Sequence, residues 1–321
     1  MPFLPAIASP SLGHPSVHPI HKRLEQAAAH GFKLIEIVEA DLDTVKAAEY
    51  VKKLCDKFGI KAFVFQPFWF YEGLVDRKEH EAKIKKLRLW MILVKILDVN
   101  LVQVPTNWLL EGTTGDMEII VKDFVEMAEI GLEQDPIVSF AYEGVAWGTH
   151  IDTWQGTWEV VKRVNRRNFG LCLDSFHIAA RVWGDPTASD GKNLDGEAKL
   201  KRSMEQLVAE VDVQKVFYVQ IGDAERLDQP LDVGHPFYSE TQLARMSWSR
   251  NARIFAFEEH ENGCLPIEPI LKAIVQGLKF EGYLSVEIFS RKLFDKDPAV
   301  PGQYAARGMK SWEKIMQKIK D

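Results

Sequence analysis

Eight short apolar runs, each followed by a longer helical pattern, recur along the chain. No other feature limits its possible folds so strongly. The runs lie at 3–8 (FLPAIA), 33–38 (KLIEIV), 61–66 (KAFVFQ), 100–104 (NLVQV), 137–143 (IVSFAYE), 169–174 (FGLCLD), 215–221 (KVFYVQI) and 282–289 (GYLSVEIF). Each is brief and mostly β-branched or aromatic, as parallel strands buried on both faces are. Helical patterns fill 18–30, 43–58, 77–98, 115–134, 151–164, 197–211, 266–278 and 302–319. The clearest is 266–278. There Pro266 suits a first helical turn, and Ile267, Ile270, Leu271, Ile274, Val275 and Leu278 follow i, i+3, i+4 spacing. Strict alternation predicts an α/β protein, a (β/α)₈ TIM barrel; a doubly wound sheet seldom needs eight such units. A length of 321 residues, without internal repeat, low-complexity tract or linker, suits a single domain over 1–321. Two connections are long, 183–196 and the 222–265 insertion after strand 7. Long loops after barrel strands sit on the catalytic face.

Composition removes several classes. The chain is 46% hydrophobic and 27% charged, the mix of a folded soluble protein. With 40 Lys+Arg against 46 Asp+Glu, the net charge of −6 argues against a nucleic-acid scaffold. No stretch approaches ~18 uncharged apolar residues, so no membrane span is expected. The opening MPFLPAIASPSLGHP has prolines at 2, 5 and 10 and no basic region, unlike a signal peptide. Cys55, Cys172 and Cys264 form no CxxC pair, as in a reducing, cytoplasmic compartment. The expected partner is a small molecule, with neither nucleic acid nor membrane; the oligomeric state is left open.

The late runs end on polar residues: Glu143, Asp174, Gln220 and Glu287. In a barrel these strand ends converge at the C-terminal mouth. Any one of them reads equally well as a residue that bonds a loop, but four on successive strands favour a joint role. Three carboxylates at one mouth would repel each other and lose hydration unless a cation were present. Two Glu, one Asp and an amide oxygen form a hard ligand set, favouring Mg²⁺ or Mn²⁺, with Co²⁺ possible, over structural zinc.

His177 follows Asp174 by three residues and is a candidate general base or substrate donor, although a lone His is as often structural. In the long loop, His235, Arg245, Ser249, Arg250 and Arg253 interleave with Phe237, Met246 and Trp248, which fits an ordered lid with an anion-binding Arg. Arg77, after FWFYEGLVDR, is a second candidate for that role. Trp147, Trp154 and Trp158 read mostly as packing. No GxGxxG follows strand 1, no GxxxxGK[ST], GxSxG or HExxH occurs, and no Gly-rich turn follows strand 7 or 8, so a nucleotide or phosphorylated substrate is not supported.

Several segments resemble the xylose isomerase-like barrels and, more closely, the fungal 3-dehydroshikimate dehydratases of quinate catabolism. They are QPFWFYEGLVDRKEH, FAYEGVAWGTHIDTW, RRNFGLCLDSFHIAARVWGDPT, VQKVFYVQIGDAERL, GHPFY, ARMSWSRNARIF, GLKFEGYLSVEIFSR and AARGMKSW, spread from about 60 to 312. The resemblance implies a metal-dependent lyase that converts 3-dehydroshikimate to protocatechuate and water. It carries metal ligation onto Glu143, Asp174, Gln220 and Glu287, and substrate binding onto Arg226, Ser249 and Arg253. Four positions depart from the family pattern: His14 for Arg, Ala40 for an acidic residue, His177 for Asn, and Ser290 for Asn. They allow a changed substrate preference.

The implied reaction is dehydration through a metal-stabilised enediolate. His177 is the first expectation for proton transfer and Glu143 the second, and Arg77, Arg226 or Arg253 would hold the substrate carboxylate. The runner-up is a metal-dependent ketose isomerase or epimerase acting on a non-phosphorylated sugar, with Glu143 and Glu287 as paired acid and base. A repair endonuclease would need a His-rich multi-metal site and a basic face. A regulatory pseudoenzyme would show neither bound metal nor turnover.

Overall fold

The computed structural model describes residues 3–42, 44–258 and 260–320. Its strands are β1 (Ala6–Ala8), β2 (Leu34–Val38), β3 (Lys61–Gln66), β4 (Leu101–Pro105), β5 (Ser139–Glu143), β6 (Phe169–Asp174), β7 (Val216–Ile221), β8 (Asp223–Ala224), β9 (Arg253–Ile254) and β10 (Tyr283–Val286). Eight of them close a barrel in the order β1-β10-β7-β6-β5-β4-β3-β2, every neighbour parallel, while β8 and β9 form a small antiparallel pair outside it. The expected (β/α)₈ barrel is therefore present, and each of the eight apolar runs supplies one of its strands.

The helices are α1 (Ile20–Ala29), α2 (Val45–Phe58), α3 (Arg77–Leu97), α4 (Met117–Leu132), α5 (Trp154–Val164), α6 (Ser175–Val182), α7 (Gly196–Glu210), α8 (Ala244–Ala252), α9 (Ile267–Lys272) and α10 (Val300–Lys318). Local chemistry sets their ends. Thr44, Asp76, Asp116, Thr153 and Asp174 each accept a first-turn N–H at a helix start. Gly59, Asp98 and Asn165 close helices in the left-handed region.

The sequence pattern misses two helices. α6 begins directly after β6, because Asp174 both ends the strand and caps the helix. α8 lies inside the 222–265 insertion, which together with β8 and β9 is a folded subunit of structure rather than a plain loop. The 266–278 pattern is also shorter as an α-helix than its periodicity suggests. α9 starts at Ile267, after Pro266, and passes into a π-helical turn at Ala273–Gly277. No helix among the described residues is long and apolar enough to cross a membrane.

Candidate active site

Every second residue of a strand faces the same side. Inside the barrel, Ala6, Leu34, Val64, Leu101, Ala141, Cys172 and Tyr218 form a buried, mostly apolar floor. Two residues farther along these strands stand Ala8, Glu36, Gln66, Gln103, Glu143, Asp174 and Gln220, and Glu287 follows β10. The mouth is thus ringed by acids and amides, all buried.

Two amides bridge two of these acids. Gln66 Nε2 donates to Glu36 Oε2 (2.9 Å) and Glu287 Oε1 (2.8 Å), and Gln220 Nε2 donates to the same two oxygens at 2.9 and 2.8 Å. Gln220 Oε1 accepts from Cys172 Sγ (3.4 Å). Gln103 Nε2 donates to Glu143 Oε2. Asp174 Oδ1 accepts the backbone N–H groups of Phe176 (2.6 Å) and His177 (3.3 Å). This cap explains the Asp-Ser-Phe-His spacing, because it seats His177 in the first turn of α6, above the acids. One ligand atom from each of Glu143, Asp174 and His177 lies within 4.8 Å of the others.

Arg253, 1% exposed, enters this group from β9. Its Nη1 donates to Asp174 Oδ2 (2.8 Å) and Glu287 Oε2 (3.3 Å), its Nε donates to Ser249 Oγ (2.9 Å), and its Nη2 lies 2.8 Å from His177 Nε2. Beside it, Gly222 lets the backbone after β7 lie close to that after β10: a Cβ there would fall 2.5 Å from Glu287 O.

Burial dominates the electrostatics. It pushes the Glu143 and Glu36 carboxyls well above the usual range, with Asp174 adding repulsion to the first and Glu287 to the second. It lifts Glu287 to about 7, although Arg253 pulls the other way. It lowers His177 to about 3, so the ring is neutral. Ala146 N–H points at His177 Nδ1 (3.0 Å) and Arg253 Nη2 at Nε2 (2.8 Å), and a neutral ring can accept at only one of the two nitrogens; where Nδ1 accepts from Ala146, the ring hydrogen is on Nε2. In this tautomer Nε2 donates and has no lone pair for a metal. Four buried carboxylates face one guanidinium, and such hard oxygen donors fit a divalent cation that would offset the excess charge.

The remaining expected residues divide by position. Ser249 is buried beside Arg253. Arg77 is at the start of α3, where its Nη2 pairs with Asp123 Oδ1 (2.6 Å) and its Nη1 donates to Leu74 O. Arg226 is exposed and donates to Asp190 O (3.1 Å). Neither touches the acid group. Arg245 anchors α8 to the barrel through Ala180 O (2.7 Å) and Gly184 O (2.9 Å), while Arg250 is exposed and His235 Nδ1 accepts from Phe237 N. Trp154 and Trp158 pack in α5, whereas the Trp147 ring sits edge-on to His177 at 4.8 Å. His14 stacks on Phe294, and Ser290 caps the turn that follows it.

Glu36, Gln66 and Gln103 join the ring without being among the residues expected from the sequence. Each carries the signal that marked the later strands, one polar residue near the end of an apolar run.

Residues 24–315 match the family model for the xylose isomerase-like TIM barrel. A 3-dehydroshikimate dehydratase of Neurospora crassa is 39% identical over 342 aligned positions, covering 100% of this chain and 95% of the relative. A 3-dehydroshikimate dehydratase of Pseudomonas aeruginosa is 28% identical over 84% of this chain, which spans 36% of that longer protein. Among solved structures, a xylose isomerase-like TIM barrel/4-hydroxyphenylpyruvate dioxygenase fusion protein superposes with a TM-score of 0.77 at 26% identity, over 99% of this chain and 44% of the other.

Proposed function

The chain belongs to the xylose isomerase-like TIM barrel family, and from that premise we propose that it is a 3-dehydroshikimate dehydratase, a hydro-lyase yielding protocatechuate and water. The observation that carries the reading is 39% identity to the Neurospora crassa dehydratase over the full length of this chain. The site supports it independently. An uncharged sugar, the substrate of a ketose isomerase or epimerase, needs no guanidinium at the mouth, whereas the buried Arg253 suits a carboxylate substrate.

The proposed metal ligands are Glu143, Asp174, Gln220 and Glu287, with Mg²⁺ or Mn²⁺ preferred and Co²⁺ acceptable to the same oxygens. For Gln220 the amide must turn over, since its NH₂ now serves Glu36 and Glu287. A divalent cation held there supplies Lewis-acid stabilisation of negative charge on the substrate ketone oxygen.

The chain's own groups do the rest. Glu143 removes the C4 proton, the C5 hydroxyl leaves as water, and loss of a C6 proton with protonation of the C3 oxygen completes the aromatic ring. Glu143 takes precedence over His177 as base because the His177 Nδ1 lone pair is committed to Ala146 and Nε2 bears the hydrogen. His177 then donates from Nε2 to a substrate oxygen, and Arg253, supported by Ser249, holds the carboxylate. Arg77 and Arg226 would reach substrate only if their loops moved. A cytoplasmic location accords with three free thiols, two of them buried.

The test is incubation with 3-dehydroshikimate and Mg²⁺ or Mn²⁺, following protocatechuate by its ultraviolet absorbance. Turnover with the metal and none after chelation is expected. Absence of product under both conditions rejects the reading.

A further inference from the structure

The acid group at the mouth carries its own cation, and that cation holds the oxygens a metal would need. Asp174 has committed Oδ1 to the α6 backbone, which leaves Oδ2. Glu287 has committed Oε1 to Gln66 and Gln220, which leaves Oε2. Arg253 Nη1 bonds both remaining oxygens. We propose that Arg253 is a placeholder cation. Without metal it holds Asp174 and Glu287 together; metal entry displaces it from both, and the freed guanidinium then receives the substrate carboxylate. The proposal rests on the metal site of the reading above, and it makes binding ordered, metal first.

Two further contacts suit such an exchange. The guanidinium lies against the Phe176 ring at 4.1 Å, with the Phe289 ring at 5.4 Å, so it can shift over aromatic faces without losing their attraction. Its Nη2 meets His177 Nε2 at 2.8 Å although both atoms bear hydrogen when Nδ1 accepts from Ala146. Two donors that face each other lack an acceptor, and a carboxylate oxygen brought between them as Arg253 withdraws would satisfy both.

The experiment is calorimetric titration with Mn²⁺ of the wild type and Arg253→Met, together with metal-free melting of each. Removing the competing charge should tighten Mn²⁺ binding by about tenfold or more and lower the metal-free Tm. A second titration uses cyclohex-1-ene-1-carboxylate, a ring acid with no oxygen beyond its carboxylate. Its affinity for the wild type should rise severalfold with Mn²⁺, and metal affinity should rise equally with the acid present. That coupling should shrink in Arg253→Met, or in Arg253→Lys if the first variant does not fold without metal. Lys keeps the charge but cannot span two carboxylates. A wild type that binds no Mn²⁺ removes the metal site and this inference with it. A wild type that binds Mn²⁺, with Arg253→Met no tighter or with coupling undiminished in the variant, overturns the placeholder alone and leaves the dehydratase reading standing.

Discussion

Two buried residues show how a single environment sets chemistry. Glu72 accepts the Asn107 N–H (2.6 Å) and the Tyr142 hydroxyl (3.0 Å) on Oε1, while Oε2 has no partner among the described residues. Burial pushes its pKa from an ordinary 4.5 up to about 7. The folded state therefore binds the extra proton between these values. Its contribution to stability is complete below about 4.5 and is lost as pH rises through about 7, an effect of up to about 3 kcal/mol. Glu72→Gln imitates the protonated form, so urea unfolding of the variant should lose less stability than wild type between pH 5 and 8; equal losses contradict this. For His177, long-range ¹⁵N correlation should show a neutral ring with hydrogen on Nε2 across pH 5–8, and an Nδ1–H signal contradicts the donor role. His177→Asn should lower kcat by about 100-fold, the low end of the scale for a positioned proton-transfer group, yet leave any acidic limb above pH 5 in place. A limb that disappears would return the base role to His177.

Among the elements, α8 belongs to the segment that brings Arg253 to the acids. Arg253 reaches the acids because the 222–265 segment folds as β8, α8 and β9, with β9 against the mouth, and Arg245 ties α8 to α6 and the loop that follows it. Arg245 Nη2 also reaches Asn193 Oδ1 (3.2 Å), so Arg245 alone makes three bonds from α8 to residues outside the segment, while the Trp248 indole donates to Glu225 O (3.0 Å) within it. Removing the Arg245 bonds should loosen the segment locally rather than unfold the barrel. Arg245→Ala is expected to speed amide exchange over 237–252 and raise KM several-fold, with a nearly unchanged Tm. Unaltered exchange there would mean that Arg245 does not hold the lid.

At the scale of the whole molecule, the barrel core and the mouth draw on different forces. The core buries large apolar surface between strands and helices, whereas the mouth gathers charge that costs stability unless balanced. Metal removal should then abolish turnover without unfolding the chain. Far-ultraviolet circular dichroism should be unchanged by chelator, and Mn²⁺ at about 100 times its Kd should add about 2.7 kcal/mol, seen as a Tm rise of a few degrees. A chelated protein that loses its secondary structure would instead make the metal part of the fold.

The sequence by itself determined the barrel, because burial on both faces forces each strand to be a short apolar run and each helix to show one apolar stripe. It also marked Glu143, Asp174, Gln220 and Glu287, since four polar residues near the ends of successive apolar runs favour a joint role over four separate loop bonds. Glu36, Gln66 and Gln103 bear the same mark, but only closure of the barrel reveals them as one ring with the later residues. Only the tertiary structure separates the positions of Arg77, Arg226 and Arg253, which are alike as residue types. Asp123 takes the first, the surface beside Asp190 takes the second, and β9 carries the third into the acids. It also brought the backbone N–H of Ala146, 31 residues away, against His177 Nδ1. Period and polarity act between near neighbours and can be read along the chain, whereas the partner of a buried charge is fixed by which distant segments the fold brings within hydrogen-bond reach.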